Sequence, residues 1–312
     1  MKSVPSREAS AKTIYTVVQL TGSLSHTQTA SPQMPDPQPS RLRDTLLAPV
    51  ATIGAQAIGL IEHIGAAIFL LWDTLVWAAK GAASPRIRLG KAAVISQIVR
   101  VGVRSIFIVS LVSGCVGLIL AFQLSPPLDD FGRKDLVANI ISIAVLRELG
   151  PLIGAIVLTG FAGASIAAEI GTMVVSEEIE ALEAHALNPV RFLVVPRLLA
   201  AILSMTCLAV ISSVVSIASA LAISVVALEI PFDNFMRNML DQAKLVDFAT
   251  GVSKGAVFGL LIGTIACLNG LKVSGGAAGV GNATTSTVVQ CVVAIVIADL
   301  AFTAVFFAVG LV

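Results

Sequence analysis

Residues 145–200 read VLRELGPLIGAIVLTGFAGASIAAEIGTMVVSEEIEALEAHALNPVRFLVVPRLLA, and this stretch decides the fold. Arg147 and Glu148 stand inside an apolar run, Gly150-Pro151 breaks it, and Glu177, Glu178, Glu180 and Glu183 crowd a short segment between two hydrophobic spans. An ionisable side chain at membrane depth is costly, so Arg147 and Glu148 must face protein, water or a ligand. Adjacent residues on a helix point about 100° apart, so these two cannot face each other and each needs its own partner. The acidic segment reads either as a solvated loop helix or as a surface for docking on a basic, hydrophobic cleft.

Composition supports the same class. The chain is 56% hydrophobic and 12% charged, with a mean hydropathy of +0.93. A water-soluble domain of 312 residues needs more polar surface, so the expected fold class is all-α integral membrane. A net charge of +1 argues against a nucleic-acid surface. Cys115, Cys207, Cys267 and Cys291 each stand alone in an apolar segment without metal-type spacing, and read as inert thiols. No metal site and no cofactor is expected. Residues 1–44 are rich in Ser, Thr, Gln and Pro and read as a disordered or linker tail, ahead of one membrane domain over 45–312.

Within that domain, residues 46–80 are apolar but carry Glu62, His63 and Asp73, with Lys80, Arg86, Arg88 and Lys91 close behind. They read as an amphipathic interfacial helix, with an ordinary first transmembrane helix as the alternative. Five spans follow, over 101–122, 136–168, 192–228, 251–271 and 288–312. The loop QLSPPLDDFGRKD is expected to end the first span through Pro126 and Pro127, and the second is long enough to be bent or re-entrant. The loop of 229–247 contains a stretch at helical spacing, FDNFMRNMLDQAKLVDF (232–248). The Gly-rich run VSGGAAGVGNATT (273–285) reads as a loop before the last span. The basic residues before the first span, against Arg133 and Lys134 amid three aspartates after it, place the N-terminus, the acidic connector and the Gly-rich loop in the cytoplasm.

In the connector, Ser176 is a good N-cap, and Glu177 and Glu178 in the first turn suit the helix dipole. Ile179, Leu182 and Ala186 fall on one face, and Asn188-Pro189 stops the helix before Arg191 and Arg197. Lys254 and Asp299, one buried charge of each sign in the last two spans, suggest a structural salt bridge, with a proton-coupling Asp299 as the alternative. Glu169 lies where it would cap or brace the connector. Gly276, Gly279 and Gly281 lack the preceding strand and following Gly-Lys-Ser/Thr of a phosphate loop, so ATP, if it drives this protein, binds another subunit. His26, His63 and His185 are scattered and no nucleophile–base spacing occurs, so no catalytic residue is assigned.

Taken together, LRELGP (146–151), AAEIGTM (167–173), EEIEALEAHALNPVRFLVVPRLLA (177–200), CLNGLKVSGGAAGVGNATT (267–285) and ADLAFTAVFF (298–307) resemble the MlaE/YrbE permeases of ABC systems that move phospholipid. The resemblance covers residues 50–312 in the family's order. It implies a homodimer with an interfacial helix and five transmembrane helices, similar to the ABCG-type exporter fold, with a cytoplasmic coupling helix. It implies a cytoplasmic ATPase and an extracytoplasmic MCE-domain lipid-binding protein as partners, in some systems with a STAS-domain subunit. Arg147 and Glu148 match the family's polar pair in the lipid-binding cavity. Residues 177–188 match its ATPase-coupling region, which makes Glu177, Glu178, Glu180, Leu182, Glu183 and Arg191 the candidate coupling residues. Two positions depart from the pattern: Phe161 lies where the family has an Arg nearby, and His185 where it often has an apolar residue.

The function expected from this reading is that of an ABC permease subunit, not an enzyme. It would pass phospholipid or a related lipid between the inner membrane and an MCE-type carrier, driven by a separate ATPase. An ion-coupled secondary transporter of an amphiphile, using Glu148, Asp299 and Lys254, is the alternative, and a scaffold without transport is a third class.

Overall fold

The computed structural model describes residues 41–83 and 91–310, and every regular element among them is helical. The expected tail over 1–44 lies almost entirely outside the described residues, as do Arg86 and Arg88. The chain divides into two units, Met1–Trp77 and Ala78–Val312. Helix α1 (Arg41–Ala83) is continuous and contains the expected interfacial helix. Its stretch Ile61–Gly81 is one of six helical segments among the described residues that are long and apolar enough to cross a membrane.

The second unit holds α2 (Lys91–Val101), α3 (Ile106–Asp130), α4 (Leu136–Val175), α5 (Glu178–Ala184), α6 (Val190–Val226), α7 (Phe232–Gln242), α8 (Leu245–Leu271) and α9 (Gly276–Val309). Helix α6 is the hub, packed by α2, α3, α4 and α8. It meets α3 through small residues. A Cβ on Gly117 would lie 2.0 Å from the Ser216 carbonyl oxygen, so only glycine lets the two backbones come this close. Ser113 and Ser212 share a hydrogen bond of 2.7 Å at the same contact, both buried. Neutral hydroxyls satisfied within a seam of this kind cost little where water is absent.

Helix α4 is continuous from Leu136 to Val175, with no re-entrant break, but it contains two π turns, Val145–Leu149 and Thr159–Gly163. The first directly precedes Gly150-Pro151, and a third π turn, Val190–Val194, directly precedes Val195-Pro196 in α6. A proline ring collides with the carbonyl one α-turn back, and an extra residue in that turn moves the carbonyl aside. The proline thus bends the helix's hydrogen-bond pattern instead of ending the span.

Three expectations need correction. Pro126 and Pro127 do not end the first span, because α3 runs on to Asp130. Proline's φ is already helical, and two missing N–H groups near the helix end forfeit only two bonds. Most of the Gly-rich run is not a loop, because α9 starts at Gly276, after Gly275 turns the chain at φ +84°. Packing outweighs the glycines' low helix propensity there: Asn269 of α8 donates to Thr287 Oγ1 (3.0 Å) and Gln290 Oε1 (2.8 Å) of α9. Finally, α8 begins at Leu245, which moves Asp247 from the loop into its first turn.

The end of the unit opposite α5 is closed by α7. Phe235 of α7 is buried in a cluster with Ala121, Val137, Ile141, Ala220 and Ile230, and Asn238 donates from Nδ2 to the Asp135 carbonyl at 2.9 Å. The helical spacing read in 232–248 therefore divides: 232–242 form α7, seated on the start of α4, and 245–248 open α8.

Candidate functional site

The first π turn of α4 presents the Leu146 carbonyl to α8 so closely that a Cβ on Gly251 would stand 2.1 Å from it. Asp247, Gly251 and Lys254 fall at i, i+4 and i+7, on one face of α8. Asp247 and Lys254 are therefore about 10 Å apart along the axis, one on each side of the close contact. Arg147 and Glu148 diverge to reach them. Arg147 donates from Nε to Asp247 Oδ1 at 2.7 Å, with Nη2 2.6 Å from the same oxygen. Asp247 Oδ2 accepts the Lys244 backbone N–H at 3.0 Å, so this carboxylate also caps α8.

On the other side, the Lys254 ammonium donates to Glu148 Oε2 (2.5 Å), Asp299 Oδ1 (2.8 Å) and Thr303 Oγ1 (3.1 Å). Its three donors thus meet three acceptors. The Thr303 hydroxyl lies 3.0 Å from Glu148 Oε1, to which it can donate. Lys254 and Asp299 are brought together as the sequence suggested, but Glu148 and Thr303 join them, so the pair is a cluster of four side chains on three helices.

Exposure separates the members. Asp247 and Lys254 are each 1% exposed, whereas the side chains of Arg147 and Glu148 are 20% and 36% exposed. The accessible half of each ion pair is contributed by the Arg-Glu dipeptide. Two cations and three carboxylates make up the seam, one formal negative charge in excess. Beside it, Leu146, Ser213, Phe248 and Gly251 line a cavity of about 10 Å³, room for one water at most. The open side of the seam is therefore the one that Arg147 and Glu148 present.

Asp247 and Thr303 escaped the sequence reading. The signal lies in the i, i+4, i+7 spacing of Asp247, Gly251 and Lys254, and in the i+4 spacing of Asp299 and Thr303, but a span that begins at Gly251 leaves Asp247 in the loop. Phe161 sits in the second π turn and is 44% exposed.

The connector holds a different set of charges. Glu177, Glu178, Glu180 and Glu183 are all exposed, Ile179 is buried, and Leu182 and Arg191 are half-buried. Ser176 is not the N-cap. It closes α4, its hydroxyl donating to the Thr172 carbonyl at 3.0 Å, while Glu177 takes the position before α5 at φ +60°. The short α5 leaves no room for Ala186 in the apolar face, and that residue lies beyond the helix at φ +55°. Partial burial pushes the Glu183 carboxyl above its ordinary pKa range, and the Glu180 charge adds to the effect. Arg191 stacks over Phe192, its guanidinium carbon 5.3 Å from the ring centre.

The sequence pattern of the family described as Permease MlaE matches residues 94–305, which include every charge of the seam and the whole connector. This chain belongs to the MlaE permease family. A probable ABC transporter permease of Rickettsia prowazekii is 33% identical over 214 residues, 69% of this chain and 83% of the relative. A probable ABC transporter permease of Synechocystis is 32% identical over 238 residues, 76% of this chain and 88% of the relative. The Arabidopsis thaliana protein TRIGALACTOSYLDIACYLGLYCEROL 1, chloroplastic, is 33% identical over 213 residues, 68% of this chain and 61% of its own length. With its six apolar helices, this MlaE permease is a multi-pass membrane protein, a transport subunit of the ABC-transporter kind.

Proposed function

We propose that this MlaE permease moves phospholipid or a related lipid between the inner membrane and an extracytoplasmic MCE-domain carrier, working as a homodimer driven by a cytoplasmic ATPase. A STAS-domain subunit is a further candidate partner. One observation carries the lipid reading: a partly exposed cation and a partly exposed anion, Arg147 and Glu148, stand side by side at membrane depth, each anchored from behind by a buried counter-ion. A zwitterionic headgroup offers a phosphate for Arg147 and an ammonium for Glu148, and a low-dielectric setting strengthens both contacts. The name of the Arabidopsis relative is that of a galactolipid, which agrees with an amphiphilic cargo.

The lack of room beside the seam supports the homodimer. A cavity for acyl chains has to form where Arg147 and Glu148 open to the surface, and a second copy would close it. With the N-terminus cytoplasmic, the exposed glutamates of α5, with Leu182 and Arg191, dock in a basic groove of the ATPase. ATPase closure then moves α5, and with it the ends of α4 and α6, opening or closing the dimer cavity. The protein supplies no chemical step. Its work is mechanical, and ATP hydrolysis belongs to the partner chain.

The excess carboxylate around Lys254 favours a second reading, in which Glu148 and Asp299 exchange a proton and the protein is an ion-coupled transporter. Persistence of transport, with ATP present, after collapse of the proton gradient would rule that out. The experiment that tests the main reading is copurification of the tagged protein from its native membrane, with mass spectrometry of the bound subunits and lipids. An ATPase, an MCE-domain protein and a phospholipid are expected. A homodimer without an ATPase after gentle extraction would overturn the reading.

A further inference from the structure

At the α5 end of the unit, far along α4 from the seam, a second ion cluster joins three helices. Glu169 of α4 accepts from Arg100 of α2, with Nη1 2.7 Å from Oε1, and Arg197 of α6 places Nη2 3.2 Å from the same oxygen. One carboxylate oxygen thus serves two guanidinium groups. The other oxygen, Oε2, is buried without a hydrogen-bond partner among the described residues, and so is Arg197 Nε. Arg197 is 5% exposed, and its Nη1 is held by the Leu193 carbonyl at 2.9 Å. The arrangement wastes one strong acceptor and one strong donor that lie in the same ion pair, and buried orphans of this kind are destabilising.

A second arrangement of the same atoms removes both orphans. If the Glu169 carboxylate turns to meet Arg197 side-on, Nε and Nη2 donate in parallel to its two oxygens, a bidentate fork, while Nη1 stays on Leu193. Arg100 is then released. Its side chain is 47% exposed, so water can solvate it at little cost. The two arrangements trade an exposed bridge for a buried fork, which is the balance a two-state element requires.

The positions of these residues say what such a switch would move. Glu169 lies two helical turns before Ser176, and Arg197 about two turns into α6, so the fork clamps the base of the hairpin that carries α5. Arg100 ends α2, the helix that leads into α3. In the bridged state all three helices are tied. In the forked state the hairpin is tied to itself and α2 is free of it. Gln97 Oε1 of α2 and Ser204 Oγ of α6 are also buried without partners among the described residues, at the contact that would loosen.

We propose that Glu169 is a positioning residue that hands over between Arg100 and Arg197, and that this handover couples movement of the connector to release of α2 during transport. The proposal rests on the reading of α5 as the ATPase contact.

The test uses the permease copurified with its own ATPase and reconstituted in vesicles of phosphatidylethanolamine and phosphatidylglycerol. ATP hydrolysis and transfer of fluorescent phosphatidylethanolamine are measured together. Arg197→Lys keeps the charge beside Glu169 but cannot form the fork. It is expected to keep the melting temperature and to lower lipid transferred per ATP about tenfold. Lipid transfer per ATP equal to wild type would overturn the proposal, since lysine keeps the charge beside Glu169 and loses the fork.

Arg100→Gln, at an exposed site, gives an independent readout through a spin label at Ser96 of α2. The label's mobility is expected to change with ATP in the wild type and to be high with or without ATP in the variant. An ATP response unchanged from wild type would again overturn the switch. If the wild-type complex itself transfers no lipid with ATP, the functional reading fails first and the proposal falls with it.

Discussion

Two helix contacts at membrane depth are held in opposite ways. The α3–α6 contact is made by shape, with Gly117 against the Ser216 carbonyl and a neutral Ser113–Ser212 bond. The contact of α4 with α8 and α9 is made by charge, with Arg147 on Asp247 and Lys254 shared by Glu148 and Asp299. Close packing of small residues suffices to join apolar helices in lipid. The charges are therefore not needed for assembly, and they bring a desolvation cost that the first contact avoids. What the charged contact gains is a polar face at Arg147 and Glu148, next to a backbone approach at Gly251 that is as tight as the one at Gly117. The inexpensive device stands where the contact only packs, and the costly one where it also presents a polar face.

That difference can be tested by mutation. The largest effect is expected for Lys254→Met, which removes a buried counter-ion and leaves the largely buried Asp299 and the half-open Glu148 facing each other unpaired. A loss of about 3–5 kcal/mol is expected, read as a lower unfolding temperature in detergent and reduced yield. Adding Glu148→Gln and Asp299→Asn to that variant is expected to recover most of the loss. No recovery would mean that shape, not charge, sets this contact too.

Gly117→Ala comes next, with an expected cost of about 1–3 kcal/mol, because the methyl group drives α3 off α6. Gly251→Ala is expected to cost a similar amount and, in addition, to displace Arg147 and Glu148 from their partners. Lipid transfer should therefore fall in Gly251→Ala by more than in an equally destabilised Gly117→Ala.

How much of this was legible beforehand follows from the same contrast. An Arg-Glu pair, a Lys and an Asp stand out in apolar spans by composition alone, so the charged contact was visible as a set of residues. Its wiring was not, because Asp247 looked like a loop residue and Thr303 like one more small side chain in an apolar helix. The neutral contact gives a weaker signal, because small residues such as Gly117 are common in spans and only the structure shows which touch. The π turns at 145–149 and 190–194 were hidden for another reason. Proline announces a broken hydrogen bond, but whether the helix stops, kinks or widens depends on what packs around it. Likewise the start of α9 at Gly276 depends on Asn269 reaching Thr287 and Gln290, a tertiary bond that local propensity does not record.

Smaller effects bound the comparison. Replacing both Ser113 and Ser212 by Ala removes both partners of a neutral bond and is expected to change stability by less than about 1 kcal/mol. A larger loss would mean the hydroxyls carry more of the α3–α6 contact than its shape does. The least effect is expected in the connector. Glu183 has a folded pKa above its unfolded one, so the folded chain holds that proton more tightly and stability falls as pH rises through the raised pKa. Glu183→Gln should therefore raise the melting temperature slightly at neutral pH and flatten its decline with pH, measured by thermal scans between pH 4 and pH 8. A decrease at neutral pH would reverse the assigned cause.

The most direct test of the central claim is ATP-driven transfer of phosphatidylethanolamine from vesicles by the copurified complex carrying Arg147→Gln or Glu148→Gln. The account predicts that each variant assembles with its ATPase and hydrolyses ATP, while lipid transfer falls well below wild type. Undiminished transfer by both variants would contradict it, and would leave the charged seam as a structural clamp with no part in handling the lipid.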